Sequence, residues 1–142
     1  MSDEMSIRFS ALSENESFAR SVVSAYAARL DPTIEELEDV RVSVSEAVTN
    51  AIIHGYANAQ GTVEIRARTE GKSLFLEIRD EGCGIADIEK AREPFYTSRP
   101  DLERSGMGFT VMEAMMDEIS VSSCPGAGTT VSLIKHFRQA QS

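Results

Sequence analysis

The sequence predicts a single α/β (α+β) domain, and three observations lead there. Apolar and polar residues alternate with a period of two near both ends and in the middle of the chain. Two helical patterns near the N-terminus open on capping boxes. Two central strands are separated only by Glu70-Gly71-Lys72, the spacing of a hairpin. At 142 residues the chain suits one domain, which at such a size buries roughly 68–70% of its unfolded surface.

Met5 to Ala11 alternates Met5, Ile7, Phe9 and Ala11 against Ser6, Arg8 and Ser10, the pattern of a half-buried strand. Ser13 with Glu16 reads as a capping box opening a helix through about Leu30, whose apolar side is Phe18, Val22, Ala25 and Leu30. Asp31-Pro32 interrupts, and Thr33 with Glu36 makes a second box. From Ile34 the residues Leu37, Val40, Val44, Val48, Ala51 and Ile52 continue a helix to about His54, which Gly55 ends.

After the turn Asn58 to Gly61 come strands Thr62 to Thr69 and Ser73 to Asp80. A short helix is expected over Asp87 to Ala91, then a polar, proline-interrupted segment Arg92 to Ser105 with the composition of a lid. Phe109 to Met116 resumes helical spacing. Strands Glu118 to Cys124 and Thr129 to Phe137, joined by Pro125-Gly-Ala-Gly128, complete the domain before a frayed tail from Arg138.

Charge narrows the function. With 14 basic and 23 acidic residues the net charge is −9, which argues against direct nucleic-acid binding, since a phosphate backbone is met by clustered Lys and Arg. Any anionic ligand must be held by backbone amides, a metal or a few placed arginines. Cys83 and Cys124 have no metal-ligand spacing and read as reduced thiols of a cytosolic protein. No signal peptide or membrane-length apolar run is apparent, so a soluble, cytoplasmic protein with no membrane partner is expected.

The chemistry centres on Ser45 to Tyr56. Glu46, Asn50 and His54 recur every four residues and share one stripe of the helix. A carboxylate one turn before a carboxamide sets a proton acceptor beside a neutral oxygen ligand for a hard cation, the equipment for a magnesium-bound phosphate. The same stripe is also what a solvated, hydrogen-bonded face would show, and His54 beside Gly55 could simply complement the helix dipole.

Further along, Asp80-Glu-Gly82-Cys-Gly84 ends a strand with a carboxylate able to accept from an exocyclic amine, and its two glycines permit close approach of a flat ligand. A tight loop without a ligand has the same signature. Gly106 and Gly108 stand where a helix N-terminus presents unpaired amides, the usual solution for phosphate, and Arg104 adds a mobile positive charge.

Taken in order, Glu46-x3-Asn50, Asp80-x-Gly82-x-Gly84, Gly106-x-Gly108 and Gly128-Thr-Thr130 resemble the motifs of the GHKL ATP-binding superfamily, which includes DNA gyrase B, Hsp90, histidine kinases and MutL. Their occurrence in sequence, each on the expected element, carries the resemblance. Within the superfamily, Ser13 to Arg20, Ser45 to Tyr56 and Leu102 to Met112 resemble the anti-sigma factors that are serine kinases of sporulation sigma-F. The likeness covers essentially the whole chain; Tyr56 to Gly61 and the tail are less typical.

The resemblance implies a Bergerat-type two-layer sandwich, a mixed and mostly antiparallel sheet with helices on one face. It implies ATP or ADP with Mg2+ as cofactors, Glu46 as the base acting on an attacking hydroxyl, and Asn50 as the metal ligand. Asp80 would accept from the adenine amine with Thr130 completing that contact, and Gly82 and Gly84 would make room for the base. Arg104, Ser105 and the amides of Gly106, Met107, Gly108 and Phe109 would meet the phosphates. His54 and lid residue Thr97 would complete the nucleotide site.

The resemblance also implies a homodimer that binds one sigma factor, with a competing anti-anti-sigma protein phosphorylated on serine. Arg20, with Glu16 one turn earlier, matches the family position at both contacts. Composition alone would leave that pair an ordinary exposed ion pair.

Other readings are a nucleotide-dependent binding module without catalysis, a detached histidine-kinase catalytic domain, a structural dimer, and an anti-sigma kinase of a related sigma factor such as sigma-B. Retention of Glu46 disfavours the first. The lack of a dimerisation-helix context around His54 or His136 disfavours the second. The third leaves the glycine pairs and polar lid without a purpose, and the last shares the ATP motifs but differs outside them.

Overall fold

A computed structural model describes residues 3–55, 61–82, 108–124 and 127–138, excluding the side chains of His54 and Cys124. Five strands, β1 (Asp3–Ser10), β2 (Thr62–Glu70), β3 (Ser73–Asp80), β4 (Glu118–Cys124) and β5 (Gly128–His136), form one sheet in the order β1-β2-β3-β5-β4. Helices α1 (Asn15–Ala27), α2 (Ile34–Asn50) and α3 (Gly108–Met115) complete the described elements, with a 3-10 turn at Ala28–Leu30 and a π-helical turn at Ala51–Gly55. All four strand pairings are antiparallel, so among the described residues the sheet is not the mixed one expected.

The period-two pattern does what it predicts. Val63, Ile65 and Ala67 of β2, Leu74, Leu76 and Ile78 of β3, and Val131 and Leu133 of β5 are buried on one face. They join Val40, Val44 and Val48 of α2, Ala19 and Val23 of α1, and Met112 of α3 in a single core. Burying each larger aliphatic side chain contributes about 1.5–3 kcal/mol, the dominant favourable term. The opposite face is polar, with Ser6, Arg66, Glu77 and Ser132 in one register row and Arg68 lying 3.9 Å over the Phe75 ring.

Two expectations for α1 are corrected. Its buried face is Ala19, Val23, Tyr26 and Ala27 rather than Phe18, Val22 and Ala25, a rotation of one residue or about 100°. Phe18 stands 54% exposed. Ser13 makes no capping box, because Glu14 already has helical dihedrals and its side chain caps nothing. The chain enters through a turn in which the Ser13 carbonyl accepts from the Glu16 N–H at 3.2 Å, while Asn15 Nδ2 donates to the Ser10 carbonyl at 2.8 Å.

The second capping box is real. Thr33 is extended, its hydroxyl accepts from the Glu36 N–H at 3.1 Å, and Glu36 Oε1 accepts from the Thr33 N–H at 2.9 Å. Glu36 Oε2 also accepts from the Arg138 N–H at 2.9 Å, fastening the chain beyond β5 to the start of α2. Burial alone would raise the Glu36 carboxyl, but the bonds from Thr33 and Arg138 outweigh it and hold Glu36 below its ordinary range.

Candidate functional site

The centre of the site lies where α2 meets the start of α3. Glu46 and Asn50, four residues apart on α2, are both half-buried. Gly108 opens α3 directly against them: a Cβ built there would stand 3.0 Å from Asn50 Nδ2, 3.2 Å from Asn50 Oδ1 and 3.3 Å from Glu46 Oε2. The fold thus brings a carboxylate, a carboxamide and the N-terminal end of a helix together, so closely that a side chain added at Gly108 would make Asn50 or Glu46 give way by a few tenths of an ångström. Phe109 follows in the first turn, its ring buried in the core, so the helix start is anchored by packing.

The spacing that sets His54 on the Glu46 stripe ceases to be α-helical after Asn50, as the π-helical turn begins at Ala51. The His54 side chain lies outside the described residues, as do Gly84, Thr97, Arg104, Ser105, Gly106 and Met107 and the expected short helix and lid.

A second group forms at the end of β3. Asp80 closes the strand on its inward row and is only 7% exposed. Its Oδ1 accepts from the Gly82 N–H at 2.9 Å, and the Thr129 N–H also bonds to it. Burial pushes the Asp80 carboxyl above its ordinary value, against the downward pull of these two amides. A desolvated carboxylate in this state gains from a further hydrogen-bond donor.

The register places Thr129 rather than Thr130 beside Asp80. Asp80 pairs with Thr129, whereas Thr130 pairs with Arg79 and Ser122 on the opposite, polar face. Thr129 Oγ1 lies 2.8 Å from Ser123 Oγ, which also donates to the Gly128 carbonyl at 3.0 Å. Thr129 and Ser123 are therefore site neighbours that the spacing did not identify, because assigning a row needs the strand register. Gly128 holds the approach: its φ is +98°, and a Cβ there would stand 2.2 Å from the Asp80 carbonyl oxygen.

On α1, Arg20 Nη1 lies 3.5 Å from Glu16 Oε1. Leu12 and Phe18, in the same stretch, are exposed large apolar side chains. The pair is thus part of a mixed charged and apolar surface.

The residues that could hold a cation are limited. Among the described residues no three His, Cys, Asp or Glu side chains come together as a metal cage. The Asn50 carboxamide oxygen beside Glu46 suits Mg2+, which takes one or two protein ligands and fills its shell from phosphates and water.

The sequence profile of the histidine kinase-like ATPase domain matches residues 9–135. The chain is 56% identical over 142 residues to an anti-sigma F factor of Bacillus licheniformis, covering 99% of this chain and 97% of that protein. It is 59% identical over 137 residues to the anti-sigma F factor of Clostridium acetobutylicum, covering 96% of each. It is 54% identical over 142 residues to that of Bacillus subtilis strain 168, covering 99% and 97%. With its Glu46, Asn50 and Gly108 cluster, its buried Asp80 closing a strand of one antiparallel sheet, and relatives matched over nearly their whole length, the chain belongs to the histidine kinase-like ATPase family, among the anti-sigma F factors.

Proposed function

We propose that this protein binds and inhibits a sigma-F-type RNA polymerase sigma factor and, with Mg-ATP, phosphorylates a serine of an anti-anti-sigma partner, its ATP or ADP state governing which partner it holds. The observation that carries this reading is the contact of Gly108 with both Glu46 and Asn50. It sets a proton acceptor and a cation ligand at the helix end where phosphate would be received.

Asp80 accepts the adenine amine, with Thr129 on its own row and Gly82 in the adjoining turn. The amides of Gly108 and Phe109 meet the phosphates. Asn50 would hold Mg2+, which would supply positive charge against the phosphates. In the transfer, the partner serine oxygen bonds to the γ-phosphorus as the bond to the β,γ-bridging oxygen breaks, ADP leaves, and the hydroxyl proton passes to Glu46. Positioning such a base contributes about 10²–10⁴ in rate.

Arg20 and Glu16, flanked by exposed Phe18, form the surface for the protein partners in a homodimer. Their mixed apolar and charged character supports that role. Nucleotide state governs which partner this surface holds through its different affinity for the two bound forms.

The test is incubation with γ-labelled ATP, Mg2+ and a candidate anti-anti-sigma protein, followed by mass-spectrometric location of the phosphate. Phosphoserine on the partner supports the kinase reading. Nucleotide binding without transfer reduces the protein to an ATP-gated binding module.

A further inference from the structure

Lys135 occupies an inward position of β5, on the row of Val131, Leu133 and Phe137, and is only 9% exposed. A lysine among core aliphatics needs specific partners to offset its desolvation. It has two: Lys135 Nζ donates to Asp39 Oδ2 on α2 at 3.0 Å and to the Met115 carbonyl, the last residue of α3, at 2.6 Å. A cation at a helix C-terminus also opposes the negative end of the helix dipole.

The two helices are thus joined at both ends. Gly108 at the start of α3 abuts Glu46 and Asn50 near the end of α2, and Met115 at the end of α3 is tied through Lys135 to Asp39. The step from Asp39 to Glu46 equals that from Gly108 to Met115, seven residues in each case, about 10.5 Å of helix rise. The helices run antiparallel over matched lengths, so the height at which the lower end of α3 is held sets where its upper end stands.

We propose that Lys135 is a positioning residue for the bound phosphates, holding the Met115 end of α3 to Asp39 so that the Gly108 end keeps its place against Glu46 and Asn50. The role rests on the nucleotide reading of that cluster, but Lys135 itself touches no ligand. A displacement of the amides by even about 1 Å is costly for phosphate contacts, whereas Asp80 and Thr129 stand on β3 and β5 rather than on α3.

The experiment compares Mg-ATP and adenosine binding by the full chain, using calorimetry for the first and NMR titration for the second, at a temperature where circular dichroism shows each variant folded. Lys135→Met is expected to weaken Mg-ATP at least about tenfold, a loss of about 1.4 kcal/mol. Its adenosine affinity should stay within about twofold, and Lys135→Arg, which keeps a cation, should recover most of the loss. Unchanged Mg-ATP binding in folded Lys135→Met, or an equal loss for both ligands, would overturn the positioning role. Should Lys135→Met fail to fold, Asp39→Asn carries the same comparison: a selective loss of about threefold for Mg-ATP supports the clasp, and none overturns it. A parent chain that binds neither ligand overturns the nucleotide reading itself, an outcome distinct from a binding parent whose variants are unaffected.

Discussion

Gly108 approaches Asn50 so closely that a Cβ added at the glycine would lie 3.0 Å from the carboxamide nitrogen and 3.2 Å from its oxygen. A side chain of any size there must displace Asn50, Glu46 or the start of α3. We expect Gly108→Ala to leave folding stability within about 1 kcal/mol, because the gain in helix propensity offsets a small steric shift. Mg-ATP affinity should fall at least about tenfold if, as proposed, the displaced groups are those that meet the phosphates. Calorimetric titration beside urea unfolding separates the two effects, and a variant binding Mg-ATP as tightly as the parent would show that the contact is not part of the site.

Gly128 answers a different constraint. Its φ of +98° and the 2.2 Å approach of its added Cβ to the Asp80 carbonyl leave no relaxed position for a side chain. Gly128→Ala is expected to cost about 3 kcal/mol or more, combining backbone strain with the clash. The damage falls on the β3–β5 junction that holds Asp80, so adenosine binding should weaken along with thermal stability. A variant melting at the parent's temperature would mean that the turn rearranges without cost.

Sequence patterns located the strands well because burial of alternate residues is a local signal: β3 and β4 end where the alternation ends, and β1, β2 and β5 differ by one or two residues. The same reasoning misassigned the face of α1, since Phe18 and Val22 look like core while the small Ala19 and Ala27 are the residues that enter it. That Thr129 rather than Thr130 stands beside Asp80 was not legible, because the row depends on register, which no single strand encodes. Lys135 could have been noticed, as it interrupts the inward series Val131, Leu133 and Phe137. Its partners Asp39 and Met115 come from two other elements, so its purpose is legible only in three dimensions.

Glu36 gives the acid limb of stability a predictable form. Its carboxyl is held below the ordinary value of 4.5 in the folded protein, so the ionised form contributes stability that is present above that value and is lost as pH falls through the lower folded one. Glu36→Gln keeps one acceptor but turns its amide NH2, a donor, toward the donor N–H of Thr33 or Arg138. It should cost about 1–3 kcal/mol at neutral pH and flatten the decline of stability below pH 4.5. Urea unfolding from pH 3 to 7, about the span over which carboxylates titrate, measures both, and parallel acid limbs for parent and variant would remove Glu36 as their source.

Glu46→Gln tests the chemistry most directly. The substitution preserves the size of the side chain beside Gly108 and Asn50 but removes its capacity to take a proton. Mg-ATP affinity is therefore expected within a few-fold of the parent, because the ligands of the phosphates are unchanged, while transfer to the partner serine falls at least about a hundredfold. Sigma-factor binding in the presence of Mg-ATP should persist. Single-turnover transfer with labelled ATP, measured beside equilibrium nucleotide binding, separates a lost base from a lost site. Undiminished transfer would remove Glu46 from the base role, whereas parallel losses of binding and transfer would make it a structural partner of Asn50.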